Sequence, residues 1–121
     1  MTALFTGNLF MNFVFGLGFT VVPSFMLGLY EADLSPEFIF VTRMFGSTLL
    51  STCVVLWYVR QSEDQTIIDM TARANILYWF LGSIMLLFAQ LDGLFNWVGW
   101  GTFGFHVFFT LWYVYKMFIR P

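Results

Sequence analysis

Arg43 is the charge least suited to its surroundings, because it lies inside the apolar run LSPEFIFVTRMFGSTLL that extends from Leu34 to Leu50. Ser35 as a cap, Pro36 at the first helical position and Glu37 in the first turn mark a helix start. Six residues at about 1.5 Å each carry Arg43 roughly 9 Å beyond Glu37. An arginine held in lipid costs at least about 2.5 kcal/mol, so Arg43 calls for a carboxylate, a phosphate or another anion. His106, in VGWGTFGFHVFFTLW, is the second side chain with chemistry of its own. One imidazole can serve as an axial ligand to haem or chlorophyll, relay a proton, or bond as a neutral ring across a helix bundle. A structural role is favoured for both residues: an ion pair for Arg43, a cross-bundle hydrogen bond for His106. The chain has no Ser-His-Asp set, no paired catalytic carboxylates and no histidine cluster at metal-ligand spacing, so it does not read as an enzyme or as a metal site beyond His106.

The elements that must position these residues are membrane helices. Hydrophobic residues make up 60% of the 121-residue chain and charged residues 10%, against roughly 25% charged in soluble domains. Seventeen Phe, five Trp and five Tyr suit lipid contact and the membrane interface. A net charge of −2 offers no basic surface for nucleic acid, and the lone Cys53 gives no disulfide frame. The expected fold is all-α: one transmembrane domain over residues 1–121, a four-helix bundle with spans at about 4–30, 37–59, 72–91 and 98–118. The apolar N-terminal run is read as a retained helix rather than a signal peptide.

Two stripes of small and polar residues stand out. Asn8, Asn12, Gly16, Thr20 and Ser24 recur every four residues along the first span, and Ser47 and Ser51 continue from Arg43 along the second. Such stripes let membrane helices approach closely, so both are expected to be packing faces. Pro23 should kink the first span by freeing the carbonyl of Phe19, with Thr20 or Ser24 at hand to satisfy it. Thr66 to Met70 reads as a short interfacial turn before the third span.

Basic residues set the orientation. Arg60 and Arg73 lie in the second connection, Lys116 and Arg120 in the C-terminal tail, and the first and third connections have no basic residue. The positive-inside rule then puts both termini and residues 60–73 on the cytoplasmic side, N-in and C-in. In that frame His106 lies roughly 10 Å below the outer side, level with Arg43. Gln90 and Asp92 end the third span on the same side. Depth therefore allows one outer cluster of Arg43, His106, Gln90 and Asp92, with Glu31 or Asp33, and a second, inner cluster of Asn8, Asn12 and Asn75.

Gly16, Gly18, Pro23 and Gly28, followed by Leu34, Ser35, Pro36, Arg43 and Gly46, form a pattern that resembles a loose class of small four-helix bacterial membrane proteins of unknown function. The resemblance implies the fold and a bacterial cytoplasmic (inner) membrane, and no activity. Small multidrug transporters share the size, but their first helix carries a glutamate where this span has no acid. The favoured expectation is a non-catalytic accessory subunit, embedded in the lipid bilayer and packed against other membrane subunits or copies of itself, with no cofactor. Two alternatives remain open. One is a module that binds a tetrapyrrole, quinone or lipid at His106 and Arg43; the other is a small oligomeric transporter or channel.

Overall fold

Local signals set most helix ends. Ser35 accepts a hydrogen bond from the Phe38 amide at 3.3 Å with Pro36 behind it, Asp64 accepts from the Thr66 and Ile67 amides at 2.9 and 3.4 Å, and Asn96 accepts from the Val98 amide at 3.0 Å. Each cap occupies donors that the first helical turn cannot pair internally. The computed structural model describes residues 1–120. Five α-helices result: α1 (Thr2–Val21), α2 (Pro23–Leu29), α3 (Pro36–Val59), α4 (Gln65–Leu91) and α5 (Trp97–Val114), the last running on into a π-helical turn, Tyr115–Ile119. There is no strand among the described residues.

α1, α3 and α4 are each long and apolar enough to cross a membrane. Many of their large apolar side chains, among them Phe10, Phe40, Tyr58 and Met85, are exposed. So much exposed apolar surface suits lipid as the surrounding solvent.

Pro23 does more than kink the first span. It has no amide hydrogen and disfavours helical geometry in the residue before it, so Val22 takes φ −128° and ψ 57° and the helix breaks there. Thr20 Oγ1 is buried without a partner, and Ser24 has turned outward. The Thr66–Met70 turn is continuous with α4, because the Asp64 cap starts the helix one residue later, at Gln65.

α2 and α4 end alike. The Ala32 amide donates to Leu27 O and the Glu31 amide to Gly28 O; the Leu94 and Gly93 amides repeat the pattern on Ala89 O and Gln90 O. This paired closure needs a left-handed residue, which is Gly93 at φ 73° in one case and Glu31 at φ 52° in the other.

The helices associate as two pairs, α1 with α3 and α4 with α5, and the pairs meet more sparingly. α1 and α3 cross with their backbones almost touching. A Cβ added to Gly46 would lie 2.8 Å from Thr20 N and 2.9 Å from Gly16 O, and one on Gly16 would lie 3.1 Å from Gly46 O. The two pairs share a core at the end that carries both termini, where Leu4, Phe5, Leu56, Ala72 and Tyr113 are buried together. There Thr2 Oγ1 donates to Arg60 O, and the Arg73 guanidinium sits 5.9 Å from the ring centre of Phe118. At the opposite end Asn96 fastens the pairs: its amide donates to Tyr30 O and its side chain to Leu29 O.

The crossing yields a direct test. Gly46→Ala forces two backbones apart, and overpacking of this kind costs about 2 kcal/mol. Reversible unfolding in mixed detergent micelles should show that loss, while Gly28→Ala, whose Cβ would meet nothing within 4 Å, should cost far less.

Candidate ligand cavity between the helix pairs

His106 is held by two neighbours. One turn before it, Thr102 O lies 2.9 Å from Nδ1; a carbonyl only accepts, so Nδ1 carries the hydrogen and Nε2 is left as an acceptor. Across the α4–α5 seam Gly82 has no Cβ, and one placed there would run into Cδ2 of the imidazole and lie 2.9 Å from Nε2. The ring can therefore rest on the backbone of α4. Trp79, one turn earlier on α4, meets it edge to face with centroids 4.7 Å apart and stacks on Phe109 at 4.6 Å. Tyr78 flanks the same imidazole at 6.0 Å.

The rings of His106, Trp79 and Tyr78 form one wall of a cavity of about 420 Å³. α1 supplies Met11, Phe15 and Phe19 to the opposite wall, and α3 supplies Phe38, Thr42 and Leu49. Leu27, Tyr30 and Phe95 close the end beneath the first and third connections, where Tyr30 Oη and Thr102 Oγ1 are 2.6 Å apart. Four lining residues, Val41 and Phe45 on α3, Met85 on α4 and Phe105 on α5, are also exposed on the outside of the bundle. The cavity thus opens sideways, between α3 and the α4–α5 pair.

No acidic residue, lysine or arginine lines it. Most of its polar groups are already engaged: Thr42 donates to Phe38 O at 2.7 Å, and the Asn12 amide donates to Thr52 at 2.8 Å. Three are not. The indole N–H of Trp79, a residue only 4% exposed, is buried without a partner, and neither His106 Nε2 nor the Tyr78 hydroxyl forms a side-chain hydrogen bond among the described residues. A second space of about 370 Å³ lies toward the terminal end, bordered by Thr48, Thr52, Thr71 and Asn75, and Asn12, Leu49 and Tyr78 border both.

The four residues at matched depth do not meet. His106 lines the cavity, whereas Gln90 is buried against Gly99 and donates to Asn96 O at 3.1 Å. Arg43 and Asp92 are both exposed, and neither reaches the cavity. The terminal-end asparagines do come together: Asn8 Nδ2 lies 2.6 Å from Asn75 Oδ1 and 2.6 Å from Tyr113 Oη. Asn8, Asn12 and Gly16 are buried and Thr20 half-buried, while Ser24, Ser47 and Ser51 are exposed. α3 packs through Thr42, Gly46, Leu49 and Leu56 instead. Tyr78, Trp79 and Asn96 had no mark in the sequence reading. The signals available were the aromatic pair one turn before Gly82 and an Asn immediately ahead of an apolar helix.

No protein-family model, curated protein or solved structure matches the chain.

The Asn8–Tyr113 bond can be measured. A double-mutant cycle of Asn8→Ala and Tyr113→Phe should give a coupling of about 0.6 kcal/mol, typical of hydrogen bonds between membrane helices, read from unfolding in mixed micelles.

Proposed function

We propose that this is a four-span integral membrane protein of a bacterial inner membrane that holds a largely apolar ligand in the cavity between its helix pairs, without catalysing a reaction. The observation that carries the reading is the cavity itself. At about 420 Å³ it falls within the roughly 300–1,000 Å³ of small-molecule sites, and its apolar walls with few polar points are typical of them. Its sideways mouth suits a ligand that arrives from the bilayer.

The fourth span is α5 with its π-helical continuation, Trp97 to Ile119. Its Trp residues are at home at the membrane interface. Thr2 bonding to Arg60 and Arg73 resting on Phe118 keep the N-terminus, residues 60–73 and the C-terminal tail at one end. With the basic residues at that end, the orientation is N-in and C-in.

The reading favours a quinone or lipid over a tetrapyrrole ligated by His106. A macrocycle must extend several ångströms in every direction across Nε2, and the α4 backbone at Gly82 occupies one of those directions. A quinone or lipid has no such requirement.

One observation favours a second role, as an accessory subunit of a larger membrane complex or a homo-oligomer. Arg43, Ser47 and Ser51 form a polar stripe on the outer face of α3. The serine hydroxyls donate to their own helix, to Met44 O and Thr48 O, so Arg43 alone calls for a partner, either an acid on a neighbouring helix or a lipid phosphate.

Two experiments test the main reading. Leu86→Trp adds bulk to the cavity lining and should lower the affinity for an apolar environment-sensitive dye at least tenfold with helicity intact; unchanged affinity would remove the cavity as the site. For the orientation, Ser62→Cys in a Cys53→Ala background should be labelled by a membrane-impermeant maleimide only when the cytoplasmic face is open to it.

A further inference from the structure

Resting on the reading of the cavity as a ligand site, its polar groups narrow the ligand's chemistry. A charged head group is excluded first. No lysine, arginine or acid lines the cavity, and an uncompensated charge in an apolar space is strongly disfavoured. The ligand is therefore neutral.

Hydrogen-bond direction narrows it further. His106 Nδ1 is committed to Thr102 O, so Nε2 can only accept, and the ligand must bring a donor. The Tyr78 hydroxyl, on the same wall with its ring 6.0 Å from the imidazole, can donate, and the buried Trp79 indole beside them is a second unpartnered donor. The ligand must then also bring an acceptor. A ketone, ester or ether offers only an acceptor and would leave Nε2 unpaired. A hydroxyl offers both from one oxygen atom.

We propose that the cavity binds an uncharged amphiphile with a hydroxyl head, an isoprenoid-type alcohol or a phenolic quinol. Its O–H donates to His106 Nε2 and accepts from Tyr78 Oη. The apolar body lies toward Val41, Phe45, Met85 and Phe105, where the cavity opens to lipid. Gly82 has a defined part in this site: without a Cβ it lets the imidazole, which lines the cavity, rest on the backbone of α4.

The test is calorimetric titration of the intact protein in lipid nanodiscs with four probes: farnesol, farnesyl methyl ether, a farnesyl-tailed hydroquinone and the matching quinone. Each hydroxyl probe should bind about tenfold more tightly than its partner without the donor, as expected for one lost hydrogen bond and an acceptor left unpaired. In His106→Leu that preference should vanish. In Tyr78→Phe, which removes a single oxygen, the preference should persist while farnesol and its ether both weaken about fivefold.

Equal, saturable binding of alcohol and ether by the unaltered protein would overturn the hydroxyl assignment and leave the cavity reading standing. Unchanged affinities in Tyr78→Phe would overturn the part given to Tyr78. Saturable binding of none of the four would overturn the cavity reading itself. Tighter binding of the hydroquinone than of farnesol identifies the source as the quinol pool, and the reverse order identifies an isoprenoid alcohol.

Discussion

The near-contact of two backbones at Gly16 and Gly46 governs the rest of this molecule. Between helices in lipid no hydrophobic effect drives association, and close packing with small residues takes its place. Here that packing is concentrated in one crossing, with Leu50 against Gly16 and Thr20 against Gly46. The crossing joins α1 to α3 closely, with Asn12 donating to Thr52 of α3, and α1 presents Asn8 toward the other helix pair. α4 and α5 meet Asn8 at the terminal end, where Asn75 Oδ1 and Tyr113 Oη accept from its Nδ2. Beyond it the pairs diverge, and the space between them is the cavity.

Satisfaction of polar groups follows the same division. Ser83, Thr42 and Thr110 return their hydroxyl hydrogens to the carbonyl four residues earlier in their own helices, which makes them nearly neutral as packing surface. The asparagines and Gln90 reach other segments. Around His106, Tyr78 and Trp79 donors and acceptors remain over beside the cavity, while Thr20 Oγ1, Asn8 Oδ1 and Gln90 Oε1 are left over within the helix packing. Unpaired polar groups in an apolar interior are costly, and in the proposed ligand site a bound molecule would supply partners to those around His106.

Much of the fold was legible in the sequence. The start of α3 at Ser35, Pro36 and Glu37 is a local matter of cap and first turn, decided within four residues. The apolar length of α1, α3 and α4 was equally plain. The sequence could give depth along a helix but not rotation about it. Arg43 and His106 lie at comparable depth, yet one faces outward from α3 and the other inward from α5. Ser47 and Ser51 share spacing with a packing stripe, but their hydroxyls close on their own helix, so Gly46 and Leu49 could take the inner face without leaving a polar group unsatisfied. Ser24 belonged to the spacing of the first stripe and left it because Pro23 ends the helix at Val21. The cavity had no sequence signature, since it arises where side chains from four helices fail to meet.

α4 carries a consequence of its length. Its 27 residues extend about 40 Å, whereas the hydrocarbon layer is about 30 Å thick. Lipid can clothe about twenty of them. The polar residues of α4 gather at its start, Gln65 to Thr71, where Gln65 bonds to Asp69 along the helix. Met70 and Thr71 border the smaller space and not the larger. The smaller space therefore lies nearer the polar start of α4 than the larger one, with Asn12, Leu49 and Tyr78 shared between them.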